Sequence, residues 1–332
     1  MKQNKNNPYP YSDSNKRYQT YDYFMKQKYG GKCAKIPLDA GFTCPNIDGK
    51  CGFGGCIYCS GRGSGDFAAS PTLSIKEQYS LTREKLSSKW STERCIAYFQ
   101  AHTNTYAPLE VLKKKFEEAT ALPSVVGISI ATRADCLPDD VIAYLNELSK
   151  RIDVTVELGL QTVHDNVADF INRGHTFEDF VDGYSRLRKG APKVMRCVHL
   201  IFGLPGETRD MMLESVEKVA ELEAHQVKIH LLHVIQGTKL AELYANGSYM
   251  PMKREDYIDT VCSALTLLPE NTVIGRLTGD GAKETLLAPE WSLKKVTILN
   301  DIDKKMFEKD LWQGKCCKNL SNRDSFLDRQ VF

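Results

Sequence analysis

The chain has 332 residues, of which 42% are apolar and 26% are charged, and its formal net charge is +2. This balance is typical of a globular protein with an ample core, and it argues against a general nucleic-acid coat. The sequence contains neither an apolar run of about 18 residues nor a signal-peptide pattern, so we expect no membrane span. Eleven cysteines in a chain of this length do not suggest a disulfide scaffold, so we expect a reducing, cytoplasmic location.

The N-terminal segment is more basic than the rest of the chain. Residues 1–36 carry eight Lys or Arg against two Asp. Six tyrosines are interleaved with them: Tyr9, Tyr11, Tyr18, Tyr21, Tyr23 and Tyr29. Basic residues beside stackable aromatic rings are used to bind looped or single-stranded RNA. A solvated, poorly ordered arm is the alternative interpretation, and the sequence leaves both open.

From residue 35 onward, strand and helix patterns alternate. Strands are predicted at 35–42, 95–100, 125–131, 154–159, 194–202 and 227–234. Helices are predicted at 75–89, 109–120, 138–149, 165–171, 177–188 and 209–224. Six β units alternating with helices imply an α/β fold with a parallel sheet, here an incomplete (βα)6 barrel open on one side. The predicted divisions are a basic arm at 1–34, the partial barrel at 35–240 and a C-terminal extension at 241–332 that packs on the barrel.

A glycine-rich loop with four cysteines, GFTCPNIDGKCGFGGCIYCSGRGSGDF, follows the first predicted strand. Cys56 and Cys59 form a CxxC pair, and eleven residues separate Cys44 from Cys56. Thiolates at this spacing can converge on one metal centre. Three of them leave one iron of a four-iron cluster open, whereas a structural zinc ion takes four closed ligands. The fourth thiol, Cys51, therefore keeps a zinc site possible from the spacing alone.

Tyr58 directly precedes the last cysteine, and the segment resembles the radical S-adenosylmethionine (radical SAM) superfamily, whose signature ends in cysteine-x-aromatic-cysteine. The long gap and the run CPN…GGCIYCS are similar to the Elongator catalytic subunit and its small bacterial relatives. The resemblance implies a [4Fe-4S] cluster on Cys44, Cys56 and Cys59, with S-adenosylmethionine (SAM) on the open iron. It also implies a partner that donates one electron, such as flavodoxin or ferredoxin.

Polar segments follow or end four later strands of the predicted sheet: QAHTNT, ATRADC, ELGLQT and FGLPGET. Ligands of such folds bind at the carboxyl ends of the strands, so we expect these segments to share one rim. The candidate SAM-binding residues are Gln100, Thr103, Arg133, Glu157, Gln161 and Arg173.

The resemblance also implies a role for some of these residues. Gln100 or Thr103 would hold the amino group of the methionine part of SAM. Gln161 and Arg173 would contact the cofactor, with the Arg173 guanidinium binding the methionine carboxylate through two charge-assisted hydrogen bonds. Glu157 has a second interpretation, as a buried ion-pair partner of Arg133 or Arg173.

The resemblance implies tRNA as substrate, with reductive cleavage of SAM giving an adenosyl radical that acts on the wobble uridine. The reaction would convert carboxymethylaminomethyl-uridine to aminomethyl-uridine. Two alternatives stay open at this point. One is a non-catalytic protein that binds zinc and RNA, and the other is a radical SAM enzyme with a small, coproporphyrinogen-like substrate. His199 stands where the porphyrin-acting relatives have an aspartate, which weakens the second alternative.

Overall fold

The computed structural model describes residues 8–63, 65, 67–88, 90–279, 281 and 283–318. Its strands are β1 Ala34–Leu38, β2 Cys95–Phe99, β3 Val125–Thr132, β4 Asp153–Gln161, β5 Met195–Phe202, β6 Gln226–Leu231, β7 Val234–Ile235, β8 Val273–Arg276 and β9 Leu286–Ala288. Its helices are α1 Tyr21–Tyr29, α2 Ile75–Ser87, α3 Leu109–Thr120, α4 Asp139–Leu148, α5 Asp165–Phe170, α6 Phe177–Gly190, α7 Arg209–Glu221, α8 Lys239–Ala245, α9 Arg254–Leu267 and α10 Lys295–Glu308.

The predicted α/β architecture with parallel strands is confirmed. Within the described residues, a seven-stranded sheet has the order β1-β2-β3-β4-β5-β6-β8. The pairs formed by β1, β2, β3 and β4 are parallel, as is the pair of β6 with β8. The seventh strand, β8, was not predicted, because four residues are too few for a clear pattern. The predicted strand 227–234 is divided in two, since β7 pairs antiparallel with β9 in a separate small sheet. The helix predicted at 75–89 corresponds to α2, and its predicted last residue, Lys89, lies outside the described residues.

Residue contacts divide the chain into two compact units. The first comprises residues 25–160 and 168–197, and we call it the cysteine-loop unit. Two of its helices, α2 and α6, begin at well-capped residues: Ser74 and Thr176 each form a reciprocal capping box with an acidic residue three positions later. Gly183 of α6 lies so close to the turn at Ala134 that an added Cβ would sit 2.1 Å from the Ala134 carbonyl oxygen. This contact fixes the segment directly after β3.

The second unit, which we call the terminal unit, comprises residues up to 24, 161–167 and those from 198 onward. In it the N-terminal segment pairs with the C-terminal part of the chain. The backbone N–H of Gln19 donates to the side-chain Oε1 of Gln313 at 2.8 Å. The backbone carbonyl of Gln19 accepts from the backbone N–H of Ile274 in β8, also at 2.8 Å. The structure differs here from the interpretation as a solvated, poorly ordered arm, because Tyr11 and Tyr18 are buried. Their rings are therefore not available for stacking on RNA.

The described residues contain no helix that combines the length and the apolar character needed to cross a bilayer. This agrees with the sequence, in which no apolar run of that length occurs.

The buried side chain of Gln313 generates a stability prediction. Its Nε2 donates to the carbonyl oxygens of Pro269 and Thr272 at 2.6 and 2.7 Å, in addition to the bond from Gln19. Gln313→Leu removes all three bonds and leaves the Gln19 backbone amide and the Thr272 carbonyl without them in a buried place, whereas the Pro269 carbonyl still accepts from the Thr272 amide, so we expect the free energy of unfolding to fall by about 2–4 kcal/mol. Urea unfolding followed by circular dichroism measures it. The exposed Gln236→Leu is the matched control, and equal stability of the two variants would contradict the prediction.

Candidate metal and cofactor site

The cysteine loop is anchored by two asparagines. Asn46 Nδ2 donates to the carbonyl oxygen of Asn172 at 2.7 Å, and Asn172 Nδ2 donates to the carbonyl oxygens of Phe53 and Gly55 at 2.9 and 2.7 Å. The Gly55 amide in turn donates to the Asn46 carbonyl at 2.9 Å. Asn172 has a φ of 56°, in the left-handed region that asparagine tolerates better than most residues. These bonds fix a loop whose glycines offer few side chains to pack.

The surroundings of two predicted metal ligands, Cys44 and Cys56, shift the pKa values of their thiols in opposite directions. Thr103 Oγ1 donates to Cys44 Sγ at 3.1 Å, yet burial raises the pKa of this thiol above its usual value. Hydrogen bonds from Cys59, then from Asn46, lower the pKa of Cys56 to about 6. The Asn46 bond joins Nδ2 to Cys56 Sγ at 3.4 Å. Thiolates are the form of cysteine that binds metals, so the loop holds at least one ligand ready at neutral pH.

Cys51 has different surroundings from the other three thiols of the loop. It is exposed, and its Sγ accepts from Arg133 Nη2 at 3.6 Å. It also lies against Gly174, where an added Cβ would come within 2.9 Å of this sulfur. The described thiols of the chain are all free of disulfide bonds. Cys51 therefore differs from Cys44 and Cys56 in the hydrogen-bond donor that its sulfur faces.

Arg133 directly follows β3, where the sequence predicted it, and its guanidinium holds the segment after α5. Two of its nitrogens bind both carboxylate oxygens of Asp135 at 2.9 and 2.8 Å. Besides its contact with Cys51, it also donates to the carbonyl oxygens of Arg173 and Gly174 at 2.6 and 2.9 Å. A guanidinium is suited to this double task because its five N–H groups point in fixed directions.

Arg173 is one of the largest fully buried side chains in the described part of the protein. Its guanidinium donates to the Leu160 carbonyl oxygen at 2.5 Å and to the His175 carbonyl oxygen at 2.8 and 3.0 Å. Burial, followed by the charge of Arg173, lowers the pKa of His175 to about 4, so this imidazole is neutral at physiological pH. Contact of Arg173 with the methionine carboxylate stays a prediction.

The other polar strand-end residues occupy different local positions. Gln100 follows β2 and is half-buried, and its backbone N–H donates to the Leu38 carbonyl oxygen at 3.1 Å. Thr103 is buried and directs its hydroxyl to Cys44. Gln161 ends β4 with a φ of 63°, in the left-handed region. A non-glycine residue in that region stores backbone strain and is common at functional sites.

Glu157 requires a correction to the predicted position. It does not end its strand but lies in the middle of β4, and it is buried. Its carboxylate forms an ion pair with Lys35 of β1 and accepts from Ser129 Oγ of β3 at 2.6 Å. The second interpretation, a buried ion pair, is therefore correct in kind but names the wrong partner. Lys35 could not be predicted as the partner because β1 and β4 are distant in the sequence and are not neighbours in the sheet.

The segment Gly203–Thr208 lies between β5 and α7 in the terminal unit. Thr208 is the N-cap of α7, as its position predicted, and accepts from the Met211 amide. Burial raises the pKa of Glu207 to about 8, and a weaker opposing effect comes from a hydrogen bond with Thr162. Glu207 also lines an open cleft of about 620 Å³ with Arg209, Met252 and Asp256 among its walls.

Comparison with known proteins decides the family. The Radical SAM superfamily pattern matches residues 46–219, more than half of the chain. The chain belongs to the radical SAM superfamily. The pattern of the Radical_SAM C-terminal domain matches residues 224–308. The predicted fold, a partial barrel of the radical SAM type, is therefore confirmed.

Several relatives cover most of this radical SAM chain. The uncharacterized protein YtqA of Bacillus subtilis is 46% identical over 320 residues, which is 96% of this chain and 99% of YtqA. A tRNA uridine(34) acetyltransferase of Methanocaldococcus jannaschii is 30% identical over 194 residues, 58% of this chain. The match spans 34% of that enzyme's length. The solved structure of Elp3 from Methanocaldococcus infernus, with an N-terminal deletion, has a TM-score of 0.63 at 20% identity, covering 85% of this chain and 64% of that one. At that identity it shows the fold alone.

As a radical SAM enzyme, the protein uses a [4Fe-4S] cluster and SAM. The residues of the loop fit such a cluster, because three thiols lie in one loop and hydrogen-bond donors point at two of their sulfurs. Sequence reasoning found the thiols but missed Asn46 and Asn172. The only signal for them was their position, directly after Cys44-Pro45 and directly before Arg173.

The raised pKa of Glu207 generates a pH prediction. The folded protein keeps this carboxyl protonated up to about pH 8, whereas the unfolded chain ionises it near its ordinary value of 4.5. The folded state then binds more protons, so stability falls as pH rises between these values and the loss is complete above pH 8. Glu207→Gln removes that loss, on the order of 3–5 kcal/mol at its largest.

The stability gain of Glu207→Gln should therefore grow from about pH 5 to about pH 8.5 in urea unfolding curves. The exposed Glu242→Gln is the control and should show no such growth. A gain that is the same at every pH would contradict the buried protonated carboxyl.

Proposed function

We propose that Cys44, Cys56 and Cys59 ligate three irons of the [4Fe-4S] cluster and that Cys51 is not a ligand. The exposed sulfur of Cys51 accepts from Arg133, whereas those of Cys44 and Cys56 accept from Thr103 and Asn46, and this difference supports the choice among the four thiols. The chemistry supplied when both cofactors are bound is one-electron cleavage of the SAM sulfonium, giving methionine and an adenosyl radical. A partner of the flavodoxin or ferredoxin class would supply the electron, and the thiol ligands call for a reducing compartment such as the cytoplasm.

We propose that several of the predicted residues hold SAM. Gln100 and Gln161 stand at strand ends, where cofactors of parallel sheets bind, and we propose them as SAM contacts. Arg133 and Arg173 place two guanidinium groups close to the loop, and that of Arg133 is paired with the Asp135 carboxylate and bonded to Cys51. We propose both as contacts of SAM, with the Arg173 guanidinium binding the methionine carboxylate. Glu157 is proposed to act indirectly, through its ion pair with Lys35.

The proposed substrate is the wobble uridine of tRNA. The observation that carries this proposal is the 30% identity to a tRNA uridine(34) acetyltransferase over 58% of this chain. Because the match spans only a third of that enzyme, the proposal concerns radical chemistry at the uridine side chain and not acetyl transfer. We propose conversion of carboxymethylaminomethyl-uridine to aminomethyl-uridine.

The surface of the cysteine loop supports an RNA substrate. Phe53 is 78% exposed within the loop itself. Lys50 lies over the ring of Tyr106, with Nζ 5.2 Å from the ring centroid. An exposed ring and a nearby cation are what stack on a base and bind its phosphate, at roughly 1–3 kcal/mol per stacked base. A base must leave its stack to reach a buried radical, and these contacts would offset that cost.

The net reaction can be balanced without a further reactant. The secondary amine, water and SAM would give the primary amine, glyoxylate, methionine, 5′-deoxyadenosine and one proton. The carbon–nitrogen bond to the carboxymethyl group breaks, and its carbon is oxidised by two electrons. SAM accepts those two electrons and one proton and is consumed. Glyoxylate and 5′-deoxyadenosine therefore form in equal amounts for each uridine converted.

The ligand assignment predicts the iron content of single variants. After anaerobic reconstitution, wild-type protein and Cys51→Ala should each hold about four irons per chain. Cys44→Ala, Cys56→Ala and Cys59→Ala should each lose most of their iron, because a cluster with two protein ligands is weakly held. Iron and sulfide analysis measures this. Loss of metal in Cys51→Ala to the same degree would indicate a four-thiol site instead.

The substrate assignment predicts a defined change in tRNA. Purified reconstituted protein with SAM, a reductant and tRNA bearing carboxymethylaminomethyl-uridine should release glyoxylate and 5′-deoxyadenosine in equal amounts, measured by mass spectrometry. In a strain without the gene, the nucleoside profile should show accumulation of carboxymethylaminomethyl-uridine. Cys59→Ala is the inactive control. Unchanged wobble uridines, together with cleavage of SAM by the purified protein, would contradict tRNA and favour a small-molecule substrate.

A further inference from the structure

Two buried hydrogen-bond donors point at the sulfurs of two different proposed ligands. Thr103 Oγ1 lies 3.1 Å from Cys44 Sγ, and Asn46 Nδ2 lies 3.4 Å from Cys56 Sγ. Thr103 is 1% exposed and Asn46 is 2% exposed. Hydrogen bonds that are shielded from water have a stronger electrostatic effect than those at the surface.

The direction of each hydrogen bond follows from the partners. Asn46 Nδ2 also donates to the Asn172 carbonyl oxygen, so its amide group faces two acceptors and must present its N–H groups to both. Cys44 as a metal ligand is a thiolate, which can only accept, so the Thr103 hydroxyl must donate. Neither donor is aimed at Cys51, whose sulfur contacts Arg133.

Donors of this kind act on the reduction potential of an iron–sulfur cluster. One-electron reduction of a bound cluster would increase the negative charge on its thiolate ligands. A hydrogen-bond donor therefore stabilises the reduced state more than the oxidised state, and the potential rises. The electron comes from a one-electron carrier, which is oxidised by one electron.

We propose that Thr103 and Asn46 are positioning residues that act through Cys44 and Cys56 to raise the reduction potential of the cluster. They thereby set which one-electron carriers can reduce the enzyme. This inference rests on the proposed ligands Cys44 and Cys56. It also gives Thr103 a role different from the predicted contact with the amino group of SAM.

Thr103 offers a substitution that changes the donor and little else. Thr103→Val keeps the shape of the side chain and removes the hydroxyl, whereas Thr103→Ser keeps the hydroxyl. The reduction potential is measured on reconstituted protein without SAM, by a redox titration followed by electron paramagnetic resonance. We expect Thr103→Val to lower the equilibrium constant for reduction about three- to tenfold, where tenfold corresponds to 59 mV for one electron. Thr103→Ser should stay close to wild type.

Asn46 provides an independent second test. Asn46→Leu removes the donor to Cys56 and, with it, one bond between the loop and Asn172. Asn172→Gly is the matched control, because it deletes the two bonds to Phe53 and Gly55 but leaves the Asn46 donor in place, and glycine accepts the left-handed φ. We expect a lowered potential in Asn46→Leu only, although both variants lose stability.

A clear outcome would overturn the proposal. If Thr103→Val binds a full complement of iron at the wild-type potential, the hydroxyl does not act on the cluster. Weaker binding of SAM by that variant, at an unchanged potential, would instead favour the direct contact with SAM. Failure of the underlying ligand assignment is distinguishable, since Cys44→Ala or Cys56→Ala would then retain its iron.

Discussion

The position of the metal-binding sulfurs depends on hydrogen bonds to backbone carbonyl groups. Glycines leave the cysteine loop with few side chains that could pack, so backbone bonds must fix it. Asn172 supplies two of them, to Phe53 and Gly55, and Asn46 closes the connection by binding the Asn172 carbonyl. The loop is thus fastened to the segment after α5, and the order of that segment determines the order of the loop.

That segment is itself held by the two arginines. Arg133, fixed by Asp135, donates to the carbonyls of Arg173 and Gly174, and Arg173 donates to those of Leu160 and His175. Burying a guanidinium is unfavourable unless its N–H groups are satisfied, and backbone carbonyls satisfy them here. The same side chains that place positive charge near the cofactor site therefore also build it. Loss of either arginine would affect the architecture and the electrostatics together.

The sequence predicted the elements that local patterns specify, and it was less informative about partners from distant positions. Buried β-branched runs gave the parallel strands to within a few residues, and α3 was predicted with its observed bounds. The ligand cysteines could be proposed from spacing and resemblance. The Glu157–Lys35 pair could not, because β1 and β4 come together only in the folded sheet. Composition likewise could not distinguish the buried rings of Tyr11 and Tyr18 from rings available for stacking.

The pairing of Gln19 with Gln313 has a consequence for synthesis on the ribosome. These residues are 294 positions apart, so the segment around Gln19 acquires this partner only after the residues between them have been synthesised. Until then Tyr11 and Tyr18 remain without the core that covers them in the finished protein. Contacts of such long sequence separation form late and slowly. The nascent chain therefore carries these two rings uncovered throughout the synthesis of the residues between Gln19 and Gln313, and chaperones would be of use to it during this interval.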